Sequence, residues 1–271
     1  MKKYVILLLA LAVVAVPSCK NQNKKAAKVE QQISQKEQML QEELKVNVES
    51  LVASAKKIKG FSFAKTLPDG SVALTDKEKM VKPDYLLDPA IANSLVTLSQ
   101  KYRAVAMLTV DKTIAELYDM PVTDFKNTLA KMVVDLDDNA IREFSETKWE
   151  DAEASKDAIS KLVDAEYESG RAKFFWESVT AFLVEQLYVC TQNIDKFMPM
   201  FTDEIAADVT YNFVCVHEGI TNMIEFYPEM ESLNTALLPL YVINAISVEQ
   251  LKAQLTELKG EIEAVRAFLL K

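Results

Sequence analysis

The sequence predicts an all-α protein, an irregular multi-helix bundle with a small β-hairpin insert after the first long helix. Three observations carry this. Long stretches place apolar residues three or four apart, the spacing of a helix that buries one face. Glycine is scarce and scattered, five in 271 residues. The eight prolines fall between the periodic stretches rather than inside them, where a missing N–H and a fixed φ do least harm.

The elements follow in order. Val29, Ile33, Leu40, Leu44, Val48, Leu51, Ala55 and Ile58 mark a long amphipathic helix over 29–59. Gly60 stands where a C′ glycine would end it. At ~1.5 Å per residue such a helix reaches roughly 50 Å. Its first turns are expected to tether and the remainder to pack. The period then shortens. Phe61, Phe63 and Leu67 precede Pro68-Asp69-Gly70, and Val72 and Leu74 follow. Proline sets φ and glycine accepts φ > 0, so 61–75 reads as a hairpin.

From 88 to 271 the chain reads as one helical body. Asp88-Pro89 supplies an N-cap and a proline at the first helical position, and that helix stops before Pro121. Shorter helices carry Phe125 to Leu136 and then Ile141 and Phe144, and a charged helix runs to Ser169-Gly170. The stretches 174–189 and 209–227 are apolar nearly all the way round, so both are expected at the centre. Pro228 and Pro239 bracket a further helix, and Ser247-Val248-Glu249-Gln250 reads as the capping box of the last.

Composition narrows the chemistry. Scattered glycines exclude a phosphate loop and a dinucleotide fingerprint, which need clustered glycines to bring backbone to phosphate. A net charge of −9 disfavours nucleic acid as a partner. The one histidine, His217, sits in an apolar helix beside Glu218 and reads as a core or rim residue. There is no nucleophile elbow and no His-Glu-x-x-His, so no catalytic residue is assigned and no cofactor is expected. Cys190 and Cys215 could pair if the two central helices form an antiparallel hairpin, but two buried free thiols are the preferred reading.

Two weaker constellations remain. Asp135, Asp137, Asn139, Glu143 and Glu146 hold positions 1, 3, 5, 9 and 12 of an EF-hand loop, the spacing that wraps a hard cation in oxygens. Ala140 replaces the glycine of the sharp turn, and Arg142 replaces an aliphatic residue. The preferred reading is that Asp137 or Asp138 caps the next helix, and no metal is assigned. Trp176, Tyr188, Tyr211 and His217 are candidate ligand-binding residues, if the two central helices enclose a pocket.

The N-terminus is the most specific signal. Lys2 and Lys3 precede the apolar run Tyr4–Val16, which is too short to span a bilayer and suits a secretory signal. The run ends Val16-Pro17-Ser18-Cys19. An aliphatic residue, then a small residue directly before Cys, resembles the lipobox of bacterial lipoproteins, most like those of Bacteroidota. Pro17 departs from the usual small residue. The resemblance implies a signal peptide over 1–18, cleavage after Ser18 and lipidation of Cys19. Lys20 is not the aspartate of an inner-membrane retention signal, which implies the outer membrane, and the absence of an acidic cluster after Cys19 implies the periplasmic face. Residues 19–28 then form a lipid-anchored linker. Its lysines 20, 24, 25 and 28 either touch anionic headgroups or are simply solvated. Residues 29–271 form a single helical domain.

These readings add up to a membrane-anchored envelope lipoprotein that works as a non-enzymatic binding or scaffold protein. Its expected partners are the membrane, through its N-terminal lipid, and another envelope protein or a cell-wall component. A small-ligand or cation-binding lipoprotein is the alternative, and a hydrolase comes third. Acyl chains anchor by about 0.8 kcal/mol per buried methylene. Cys19→Ser should therefore move the chain from the detergent-rich to the aqueous phase on detergent partitioning. Partitioning unchanged from wild type would contradict the anchor.

Overall fold

The computed structural model describes residues 46–61, 63–67, 69–149 and 152–271, with 152 and 153 described by backbone alone. The expected signal peptide 1–18, Cys19, the linker 19–28 and the first part of helix 29–59 lie outside the described residues. The chain divides between Ala53 and Ser54 into two units. Of the first, the described part is 46–53, the leading turns of helix α1 over 46–55. All later elements belong to the second.

That second unit is helical throughout. Its elements are a single turn α2 (Asp76–Lys79), a 3₁₀ segment (Pro89–Ser94), α3 (Leu98–Leu117), α4 (Thr123–Leu136), α5 (Asn139–Glu146) and α6 (Ala152–Glu168). There follow α7 (Ala172–Gln192), a single turn α8 (Ile194–Phe197), α9 (Asp203–Ile224), α10 (Glu231–Leu237), α11 (Val248–Glu257) and α12 (Lys259–Leu269). No described helix is long and apolar enough to cross a membrane. Helix α7 is the hub. Its apolar residues bury on every side, and α3, α6, α9, α11 and α12 all pack against it, α3 most extensively.

Four sequence expectations need correction. The first is the central pair. The closest companion of α7 is α3, and α9 leaves Val214 and His217 exposed. Arg103, Asp111 and Lys112 make α3 look like a surface helix, yet Asp111 and Lys112 are buried because each finds a partner inside. The second is the helix from Asp88. Asp88 does cap, accepting from Ala90 N at 2.8 Å, but only a 3₁₀ segment follows. The α-helix restarts at Thr97, which forms a reciprocal capping box with Gln100. Thr97-Leu-Ser-Gln100 is the sequence signature that marks this start.

The third correction is the hairpin. Among the described residues no strand forms; 61–75 holds one isolated antiparallel bridge, Thr66 to Val72, beside a turn with Gly70 at φ +83°. The turn chemistry acts as expected. The flanking residues cannot zip into a ladder, because Phe61 and Phe63 are pulled into the helical core. The backbone of Phe61 bonds a side chain instead of a strand: Gln186 Nε2 donates to Phe61 O at 2.8 Å, and Phe61 N donates to Gln186 Oε1 at 3.3 Å. Asn212 repeats the device one step earlier, donating to Lys59 O at 2.7 Å and accepting from Lys59 N at 3.2 Å. Two amides, one from α7 and one from α9, thus take the place of neighbouring strands.

The fourth is Gly60, which lies beyond the end of α1 and is not its cap. An added Cβ would stand 2.5 Å from Phe182 Cε1, so glycine is there to let the chain pass close over α7. The last capping box is also only half formed. Ser247 accepts from Gln250 N at 3.3 Å, while Gln250 Oε1 accepts from Ile246 N rather than Ser247 N. Gly170, by contrast, ends α6 at φ +74°. Arg171 N donates to Glu166 O and Gly170 N to Tyr167 O, the bonding of a Schellman motif.

A second glycine permits the α7–α9 contact. Trp176 of α7 is fully buried, with its indole N–H on Tyr167 Oη at 2.9 Å. Its ring lies directly over Gly219 of α9, where a Cβ would overlap it. Gly219→Ala gains helix propensity but overpacks this contact, so it should destabilise the protein by roughly 1–3 kcal/mol. Thermal unfolding measures this; an unchanged or higher Tm would show that the two helices can spread at no cost.

Candidate functional site

A cluster of charged residues lies where α3, α4 and the end of α5 meet the chain at 63–65. Helix α5 is short and needs its ends satisfied. Asp138 begins it, accepting from Ala140 N at 2.9 Å and Ile141 N at 3.2 Å. At its C-terminus several carbonyls find donors. Ser145 Oγ takes Arg142 O, Thr147 Oγ1 takes Glu143 O, Thr147 N takes Phe144 O, and Lys112 Nζ reaches Ser145 O at 2.7 Å. Lys112 thus places a cation at the negative end of α5.

Lys112 is only 8% exposed, and burial pushes its pKa down, with Lys126 acting in the same direction and Glu116 and Glu146 opposing it. It borders a cleft of about 320 Å³. Lys65, Lys126 and Lys148 stand around the cleft with Glu116 and Glu146, and Phe63, Leu117 and Trp149 contribute apolar wall. Lys126 is paired to Glu116 at 3.4 Å. The Trp149 ring is 2% exposed, wedged between Phe144 and Phe182, and its Nε1–H meets no acceptor among the described residues. Among the described residues, four ammonium groups and two carboxylates line the cleft, the opposite sign to the net charge of the chain. A second, shallower hollow is lined by Met198, Phe201 and Lys252, but Lys252 is already paired to Asp195 at 2.6 Å.

Buried ionic clusters lie elsewhere, two of them built around Arg266 and around Asp138. In the first, Arg266 forks onto Glu185, with Nε and Nη2 both 2.8 Å from its oxygens. The guanidinium lies flat over Tyr188, 3.8 Å from the ring centroid. Burial and the Glu185 charge push Asp111 well above the usual carboxylate range, against the Leu87 N–H and Arg266, so this carboxyl keeps its proton. In the second cluster, Asp138 accepts from Tyr102 Oη at 2.6 Å and faces Arg171 at 3.3 Å. Burial raises the Asp138 pKa, but the adjoining Glu166 carboxyl, the hydrogen bonds from Tyr102 and Ile141 N, and Arg171 outweigh it and hold the group ionised. Glu166 is pushed up to about 9, by burial first and then by the adjoining Asp138 carboxylate.

The sequence candidates fare unevenly. Asp135 is exposed on α4, Asp137 is its left-handed C-cap at φ 48°, and Asn139, Glu143 and Glu146 lie on α5. The twelve residues form helix, brief break and helix, and Asp138 caps as expected. Among the described residues no group of three or more His, Cys, Asp or Glu is arranged to hold a metal ion. The aromatic four do not converge. Trp176 and Tyr188 are twelve residues apart on α7, about 18 Å along the axis. Trp176 is core and Tyr188 carries Arg266. Tyr211 bonds Ser54 O at 3.3 Å, and exposed His217 stacks on Tyr241 at 4.2 Å. Cys190 and Cys215 are free and buried, and burial raises both thiols, so neither is a poised nucleophile. The lysine cleft was not visible in the sequence, since Lys65, Lys112, Lys126 and Lys148 share no spacing. Lys112 alone carried a signal, as a charge within the apolar run of α3.

The Glu166 shift makes a pH prediction. The native carboxyl keeps its proton to about 9, while an unfolded glutamate releases it near its ordinary value of 4.5. The native state therefore binds the extra proton between those values, and stability falls as pH rises through that window. Glu166→Gln, which mimics the protonated acid, should flatten this slope, with a gain on the order of 2 kcal/mol at pH 8 and little change at pH 4. Denaturant titrations at the two pH values test it; equal effects at both would show that Glu166 ionises freely.

No protein family, no curated protein and no solved structure matches this chain.

Proposed function

We propose that this protein is a lipid-anchored envelope lipoprotein that acts by binding, without chemistry of its own, and that the lysine cleft is the surface it offers to its ligand. The tether is inferred from Val16-Pro17-Ser18-Cys19 after the apolar run. The binding role is carried by Lys112, a buried ammonium beside an open cleft, held by a backbone carbonyl rather than a carboxylate. In the two ionic clusters described above, Arg266 is engaged by Glu185, and Arg171 faces Asp138 and Glu166. The thiols are masked by burial, and the histidine is stacked on a tyrosine at the surface. This favours binding at a defined cleft over a scaffold that works through its first helix alone.

Photo-cross-linking in intact envelopes tests the reading, with the reactive residue placed at position 148 on the cleft or at 252 on the far hollow. A partner captured from 148, not from 252, and lost when Lys65 becomes glutamate is the expected outcome. Equal capture from both positions would overturn the assignment of the cleft.

A further inference from the structure

We propose that the cleft takes a small oxyanion, a carboxylate or a phosphate carried by a compact organic molecule. This rests on the cleft being the ligand surface and names the chemistry of what enters it.

The lining is rich in unspent donors. Lys112 has three N–H bonds and uses one on Ser145 O. Among the described residues Lys65 and Lys148 have no carboxylate within ion-pair distance, and the Trp149 N–H has no acceptor. Glu116 is answered by Lys126, which leaves Glu146 as the carboxylate of the described lining set against the remaining lysines. Counting both glutamates, the described lining carries a net charge of +2, which one phosphate monoester or two carboxylates would balance. A buried ammonium without a carboxylate partner pays for its desolvation, and an anion entering beside it relieves that cost. Phe63 and Leu117 supply apolar contact that an inorganic ion would not use. The volume of about 320 Å³ suits a single ring or a short chain.

Calorimetric titration of the full-length protein in detergent tests the proposal, with inorganic phosphate and glucuronate as separate probes. At least one should bind at a single site with Kd below about 1 mM, and more weakly as salt is added. Lys112→Met and the rim pair Lys65→Ala/Lys148→Ala should each weaken it about tenfold or more, a change of roughly 1.4 kcal/mol, while Lys252→Ala leaves it unchanged. The rim pair touches no buried contact, so its Tm should stay at the wild-type value and keep the test valid if Lys112→Met loosens α5. Phosphate binding alone identifies a phosphate headgroup, glucuronate binding alone a carboxylate, and either supports the site. No binding of either probe up to about 10 mM, or binding unmoved in both cleft variants, overturns it. If position 148 still captures a cleft-dependent partner, the binding role survives and only the anion class falls. If an anion binds but capture ignores the cleft, the anion site stands and the proposed role falls.

Discussion

The fork of Arg266 on Glu185 is the constraint around which the helical body is arranged. Glu185 sits on the most buried helix of the protein, where a lone carboxylate would cost several kcal/mol. Helix α12, the last of the chain, delivers the one guanidinium that meets it, and Tyr188 receives the flat of that guanidinium from below. A further N–H reaches back to Tyr85 O at 3.4 Å, and Asp111 of α3 stays neutral beside the pair. The Arg266–Glu185 pair forms only when α7 and α12 are in one register. Apolar packing alone would tolerate a sliding helix; a stranded carboxylate would not. The pair thus selects the arrangement more than it adds net stability.

The same logic governs the segment that leads into the body. An extended chain buried between helices exposes backbone groups that must be paired. Gln186 and Asn212 meet that requirement with side-chain amides, which present a donor and an acceptor as a peptide group does. Gly60 lets the strand-like piece lie close over Phe182, and Ser155 Oγ donates to its carbonyl at 3.3 Å. Phe61 and Phe63 then fix the segment against Phe197 and Phe201. Phe63 forms a wall of the cleft, and Lys65, two residues on, reaches its rim.

The cleft inherits its charge from a structural need. Helix α5 ends against α3, and its last carbonyls require donors. Lys112 serves one of them from inside the bundle and also lines the cleft.

Helix periodicity, scattered glycines and the placement of prolines determined the all-α class, because burying one face of a helix leaves a repeat that local reading detects. Caps at Asp88, Asp138 and Ser247 and the stop at Gly170 were legible for the same reason, since each bond joins residues two to five apart. Tertiary structure alone decided which helix lies beside α7, since the charges of α3 look solvated until Arg266 and Ser145 O are brought to them across the fold. It also decided that 61–75 would not pair as strands, because Gln186 claims the Phe61 backbone from more than a hundred residues away and Phe61 and Phe63 are drawn into the core. The cleft is the extreme case. Its four lysines come from four separate stretches of chain, and charges meet in a folded protein by distance in space, which sequence spacing does not encode.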